Sequence, residues 1–539
     1  MAKKLSGSGT KRSSGSGASA EFRVEKDTMG AVKVPAGALY GAQTQRAVEN
    51  YPVSGIRQHP VFVRSFVQLK KAAALANHEL GTMDQTTAAA ICEACDEILG
   101  DHSFPFSREA GANAGAEGSE RKERGYSSSG LGATEDDDDD LRSVPYRIPS
   151  YYVHEDFRKH FVVDVFQAGA GTSFNMNCNE VIANLANRHS GGALGVYKPV
   201  HPNDHVNMSQ STNDVFPTAI RIATLTLLRE LFPALDSLCF ALDGKGEEFS
   251  DVIKSGRTHL QDAVPVTLGQ EFKAYAAALR RATKLLLDAA DELRELGIGG
   301  TAAGTGINTP VGYRYAVVRY LERMTSLDLD SIDDLRESMQ SQLPIAAVSS
   351  AMKNLALELT RITNDLRLMA SGPLTGLAEI MLPSVQPGSS IMPGKVNPSM
   401  LECMNQICFH VIGCDTTISY ALQAGQLELN VMMPLMGYEI IFSIEILKNF
   451  LPVFVQKCVA GITADRARCE EYYVTSPSLA TALNPLIGYE RAAEIAKESA
   501  KTRTPIPQLL REKKILTDEE IASIFTPEFL AGQADRQPG

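Results

Sequence analysis

Residues 266–296 read VTLGQEFKAYAAALRRATKLLLDAADELREL. The stretch has no proline, and apolar side chains recur at Phe272, Ala276, Leu279, Ala282, Leu286, Ala289, Leu293 and Leu296. That is the 3.6-residue period of a helix with one buried stripe. At 1.5 Å per residue it predicts a rod of roughly 46 Å. Similar patterns cover about 217–242, 345–370, 398–424 and 434–459. Ser371-Gly372-Pro373 supplies a stop for the second of these four, and Pro233 and Pro452 are expected to kink or interrupt their helices. Five such rods, some apolar on more than one face, predict a mainly α protein built on a long bundle. Faces that five helices cannot cover among themselves point to self-association.

Around this centre the chain divides by composition. Its 539 residues exceed one ordinary core, and about two to four domains are expected. Residues 1–20 are rich in Ser and Gly, with no acidic side chain, and read as a disordered tail. Residues 21–212 form an N-terminal, mainly helical region. It is broken at about 101–160 by a Gly/Ser/acidic segment containing the run Asp136 to Asp140, expected to be a disordered insertion. Residues 213–465 hold the rods, and 466–539 read as a small helical C-terminal domain.

The balance of charge is acidic, net −12, and so argues against a nucleic-acid partner, which demands clustered Lys and Arg. No uncharged apolar run reaches the roughly 18–20 residues that span a bilayer. Nine scattered cysteines fit a reducing compartment rather than a disulfide framework, and a cytoplasmic location is expected. The tail has only a faint compositional likeness to an organelle transit peptide. Cys92 and Cys95 form a C-x-x-C inside an alanine-rich helical pattern, which reads as helix packing.

The chemistry is concentrated in five polar segments: 169–177 (GAGTSFNMN), 203–214 (NDHVNMSQSTND), 255–262 (SGRTHLQD), 299–308 (GGTAAGTGIN) and 388–397 (GSSIMPGKVN). They read as loops dense in hydroxyl and amide groups, suited to holding a polar ligand. No phosphate-binding loop and no metal-ligand spacing is present, and the GTAAGTG run follows a helical pattern instead of the strand that a dinucleotide fingerprint needs. A cofactor-free, metal-free site is expected, built for a small anion and for charge developing on oxygen. In the last segment Gly388 permits close backbone approach, Lys395 offers a cation, and the helix opening at Pro398 adds positive potential. Those surroundings could help a serine to lose its proton.

GSSIMPGKVNPSMLE resembles the most specific motif of the aspartase/fumarase superfamily. QSTNDVFPTAIRIA, SGRTHLQDAVPVTLGQEF, GTAAGTGINTP, MASGPLTGL and AGQLELNVMMPLMGYEI resemble further blocks of that family, in the family's order. The likeness covers about 21–100 and 160–530. It departs at the tail, at the 101–160 segment, at Met208 where a lysine is common and at Met433 where a charged residue is common. Within the superfamily, GAGTSFNMN, Thr212, His205 and LELNVMMPLMGYEIIFSIEIL are similar to the ammonia-eliminating branch. His201 and Gly394 are similar to the fumarate-hydrating branch, and His259 occurs in both.

The resemblance implies a three-domain fold with a central five-helix bundle, four identical subunits sharing a 20-helix core, and active sites drawn from three subunits. It implies anti elimination from a four-carbon dicarboxylate without a cofactor: a proton leaves carbon first, and an aci-carboxylate dianion forms. Ser389 would be the general base. Thr172, Ser211, Thr212 and Ser390 would donate to the reacting carboxylate. Thr258, Lys395 and Asn397 would hold the other carboxylate. Asn213 and His259 would meet the departing group, and Glu402 would orient His259.

Overall fold

The structure, a computed structural model, describes residues 22–104, 106, 153–388 and 391–531. The 1–20 tail, most of the 101–160 segment, Ser389 and Ser390 lie outside the described residues. The chain opens with an antiparallel hairpin, β1 (Phe22–Asp27) and β2 (Gly30–Pro35), turning at the Met29-Gly30 signal. Helices α1 (Ala42–Asn50), α2 (Pro60–Glu79), α3 (Gln85–Leu99), α4 (Glu155–Arg158) and α5 (Thr172–His189) follow. Cys92 and Cys95 are both fully buried in α3, as packing side chains should be. One boundary moves: Val153, Phe157 and His160, expected inside the disordered insertion, are buried. Apolar Val153 and Phe157 join the main core, and the His160 ring nitrogen accepts from the Leu39 amide, so folded chain resumes by 153.

The five rods are α6 (Thr212–Glu248), α7 (Leu268–Asp291), α10 (Leu343–Met369), α11 (Ser399–Gln423) and α12 (Met433–Lys457); α8 (Tyr313–Thr325) and α9 (Leu335–Gln340) lie between the second and third. They pack in a closed ring, α6 on α7, α7 on α10, α10 on α11, α11 on α12 and α12 on α6. Of the two outcomes expected at Pro233 and Pro452, a kink or an interruption, neither proline interrupts its helix: α6 and α12 run through them. Each ring omits one backbone hydrogen bond, and the apolar packing of the surrounding helix residues keeps the helix continuous.

Helix α6 begins at Thr212 rather than 217 because Ser211 and Asp214 close a capping box. Helix α7 ends at Asp291 rather than 296: Glu295–Leu296 pairs in parallel with Asp330–Ser331, and the buried Arg221 guanidinium takes the Glu295 carbonyl. Tertiary pairing overrides a helical pattern there.

Ser255 to Val266, read as a loop running into a helix, is mostly a hairpin of β3 (Ile253–Thr258) and β4 (Gln261–Thr267). The C-terminal part, α13 (Arg466–Thr475), α14 (Asn484–Ile487), α15 (Tyr489–Thr502), α16 (Ile506–Glu512), α17 (Asp518–Ile524) and α18 (Pro527–Leu530), surrounds its own buried cluster, including Leu479, Leu483, Ile506 and Leu510.

Candidate active site

Four aromatic rings lock together the helices that start at the polar segments. Phe62 and Phe66 of α2, Phe174 of α5 and Phe216 of α6 meet with centroids 4.9 to 5.9 Å apart. This cluster brings the N-termini of α5 and α6 together. Gly171 precedes α5 with φ +86, and a Cβ there would stand 2.1 Å from the Phe216 ring, so only glycine fits. The Ala170 amide donates to the Val431 carbonyl at 2.7 Å, which pins the turn to the start of α12.

The main cavity holds about 600 Å³ and is lined by Thr172, Asn175, Asn207, Gln210, Ser211, Thr212, Asn213, Thr301 and Asn308 among others. None of the described residues lining it is acidic. Two helix N-termini and a ring of neutral hydroxyls and amides therefore face it, a setting that favours an anion. Thr172 is the first residue of α5 and Thr212 the first of α6. Asn175 Nδ2 donates to Thr212 Oγ1 at 2.9 Å, so the Thr212 hydroxyl accepts there and its own proton is left for another acceptor. Ser211 Oγ accepts from the Asn213 amide at 3.3 Å, and Asn213 Nδ2 donates to the Ala302 carbonyl at 2.8 Å.

Buried charge supports this half of the site. Asp214, 0% exposed, accepts from the amides of Ser211 (2.9 Å), Gly299 (3.0 Å) and Thr301 (2.9 Å). It thereby ties the 299–308 loop to α6. Burial pushes its carboxyl up to about 6, while those backbone donors favour the charged form. Lys70, also 0% exposed, donates to Asn207 Oδ1 (3.0 Å) and Gln210 Oε1 (2.9 Å); burial draws its ammonium down to about 8. Asn175 and Asn179 donate to the same Asn207 oxygen at 3.2 Å each.

Thr258, His259, Lys395 and Asn397 stand apart from this cavity within the chain. Thr258 and His259 are exposed at the tip of the β3–β4 hairpin. The two turn residues, His259 and Leu260, have φ +56 and +58, a type I′ geometry usually left to Asn-Gly. Holding such a turn with a bulky side chain costs on the order of 1–2 kcal/mol per residue, the kind of strain found where a side chain is displayed for use. Beneath the tip, Glu379 (fully buried) pairs with Arg257 at 2.9 Å and Lys254 at 3.1 Å, and Lys254 also holds Glu271 at 3.0 Å.

Lys395 is exposed, and Asn397 Nδ2 closes its loop by donating to the Gly388 carbonyl at 3.0 Å. A Cβ on Gly388 would meet the Lys395 carbonyl oxygen at 1.8 Å. Glu402 lies 3.9 Å from Arg367, and among the described residues no hydrogen bond or ion pair joins it to His259 in the same chain.

The fold and these blocks can be set beside known proteins. The lyase family profile matches residues 152–413, and the fumarase C C-terminus profile matches 479–532. An aspartate ammonia-lyase of Helicobacter pylori is 42% identical over 509 residues, 94% of this chain and 97% of the relative. This chain belongs to the aspartase/fumarase superfamily of lyases. An aspartate ammonia-lyase of Bacillus subtilis is also 42% identical, over 94% of this chain and 95% of the relative. Among solved structures, a fumarate lyase/delta crystallin of Brucella melitensis bound to cobalt superimposes with TM-score 0.80 and 41% identity, covering 94% and 98% of the two chains. A class II fumarase of Schistosoma mansoni superimposes with TM-score 0.81 and 30% identity, covering 95% and 100%.

The lyase fold thus gathers Thr172, Ser211, Thr212 and Asn213 into one cavity and leaves Thr258, His259, Lys395 and Asn397 on exposed segments. Sequence reading passed over Asn175, Asn207, Gln210, Asp214 and Lys70 as individual groups. All but Lys70 were inside the polar segments already singled out. Lys70 offered no signal, because it lies in the apolar pattern of α2.

Proposed function

We propose that this chain is an aspartate ammonia-lyase, which converts L-aspartate reversibly to fumarate and ammonia. The reading is carried by the aspartate ammonia-lyases at 42% identity over 94% of the chain, against 30% for the class II fumarase. The cavity of neutral donors between two helix N-termini supports it: it suits a dicarboxylate whose charge grows on oxygen.

In this scheme Ser389, as the alkoxide, takes the C3 proton of aspartate, and the electron pair moves onto the adjacent carboxylate to give the aci-form dianion. The Thr172, Ser211, Thr212 and Ser390 hydroxyls donate to that carboxylate. Each donor contributes about 2.7–4 kcal/mol to the transition state. The pair then returns to form the C2–C3 double bond as C2–N breaks and ammonia departs past Asn213 and His259. Thr258, Lys395 and Asn397 hold the second carboxylate, with Glu402 supporting His259. No cofactor enters the scheme.

The separation of the two groups within one chain supports a homotetramer whose sites combine residues of different subunits. Apolar side chains bare on the bundle, Phe240, Leu285, Leu357, Phe409 and Tyr420, support the same assembly. We assign three domains, 21–212, 213–465 and 466–539, and a cytoplasmic location, consistent with nine free thiols.

The deciding experiment incubates purified full-length protein with L-aspartate, or with L-malate, and follows fumarate absorbance. Turnover of aspartate and not malate is expected. Turnover of malate alone would make the chain a class II fumarase, and silence with both a structural relative.

A further inference from the structure

Away from the cavity, α11 and α12 meet at three side chains that the lyase chemistry does not use. His410 and Cys414 are one turn apart on α11, and Glu439 faces them from α12. One ligand atom from each lies within 4.8 Å of the others. An i, i+4 pair puts both groups on one helix face, and the third ligand comes from the neighbouring helix, which is why no local sequence spacing announces it.

The donors are an imidazole nitrogen, a thiol sulfur and a carboxylate oxygen. That mixed set suits a borderline-soft ion of the zinc type, whose bonds of about 2.0–2.3 Å place tetrahedral ligands close to this spacing. The His410 ring packs edge-on against Phe442 at 5.3 Å, and Phe442 stacks on Tyr438 at 5.8 Å, so an apolar wall limits the imidazole's swing. Cys414 is buried, Glu439 half-buried and, within one chain, His410 is exposed, so the three protein ligands leave a fourth coordination position on the outer side of the helix pair.

We propose that His410, Cys414 and Glu439 form a zinc-type metal site that clamps α11 to α12. On binding, the Cys414 proton passes to solvent, the thiolate, imidazole and carboxylate each donate a pair to the ion, and no oxidation state changes. His410 stands eleven residues beyond Ser399, the first residue of α11, or about 16 Å along the axis. The ion would therefore sit outside the catalytic loops. Its effect is on the packing of the two helices whose N-termini carry the 388–398 loop and the Val431 contact.

The test is a Co²⁺ titration of full-length protein freed of metal by chelation. Expected are one Co²⁺ per chain, a thiolate-to-metal charge-transfer band and the strong visible bands of a tetrahedral ion. Cys414→Ser should abolish the charge-transfer band, and Cys403→Ser should retain it. His410→Ala, with its oligomeric state checked by light scattering, should weaken Co²⁺ binding at least ~10-fold and abolish the rise in Tm that Zn²⁺ gives the parent protein. No charge-transfer band, a band unchanged in Cys414→Ser, or unchanged affinity in His410→Ala would each overturn the site.

Discussion

The cavity and the two exposed loops are built on opposite plans. Thr172, Ser211 and Thr212 stand at the N-termini of helices that an aromatic cluster locks together, with buried Asp214, Lys70 and Asn175 bonded to the same segments. Thr258 and His259 stand on a strained hairpin tip over a buried ion-pair cluster, and Lys395 stands on an exposed loop. The first region is organised before substrate arrives. The second is displayed outward, which is useful only if another surface comes to meet it. In the proposed tetramer the first region is the fixed wall of the site and the second its incoming part.

The contrast can be broken at either end. The largest effect is expected from the proposed base: Ser389→Ala should lower kcat with L-aspartate by at least ~10²–10⁴-fold, with the oligomer unchanged by light scattering. Near-normal turnover would remove Ser389 from the role of base. Next is the brace of the hairpin. Glu379→Gln deprives Lys254 and Arg257 of their buried anion and should cost about 3–5 kcal/mol in denaturant unfolding. A loss under ~1 kcal/mol would mean that Glu271 alone compensates Lys254.

On the fixed wall, Asp214 carries a pH signature. Its carboxyl is held at about 6 in the folded chain against an ordinary 3.8, so between those values the folded chain binds a proton that the unfolded chain has released. The contribution of Asp214 to stability should therefore fall as pH rises from about 4 to about 6, by on the order of 3 kcal/mol, and be flat above. The stability difference between the parent and Asp214→Asn, measured by denaturant unfolding across that range, should show that fall. At neutral pH the substitution should cost about 1–3 kcal/mol, since its amide group would confront backbone N–H groups. The smallest effect is expected for Asn175→Ala, which frees Thr212 Oγ1 and should lower kcat/KM by the equivalent of about 0.5–1.5 kcal/mol.

Much of this was legible in the sequence, for identifiable reasons. The bundle followed from apolar periodicity, since each rod buries one stripe against its ring neighbours. The site segments followed from their polar composition. The hairpin did not, because Lys254, Ser255 and Gly256 are buried and Val264 is half exposed, so no clean alternation marks the strands. Helix α5 was hidden for a related reason. Asn175, Asn177, Asn184 and Asn187 look like loop residues, yet each is buried with a partner elsewhere in the chain, such as Asn184 donating to the Leu39 carbonyl at 2.7 Å. Partners so far apart in sequence leave no local trace. Nor could the sequence show that the recognised residues fall into two groups, because that depends on which segments the fold buries.

The division itself is tested most directly by mixing two crippled variants. Thr212→Val damages only the fixed wall, and Lys395→Ala only the displayed loop. Co-refolded from denaturant, the two chains should regain L-aspartate deamination, with about a quarter of the sites intact for random assembly of equal amounts. If each site lies within one chain, no intact site can form, and a mixture no more active than its two components would contradict the account.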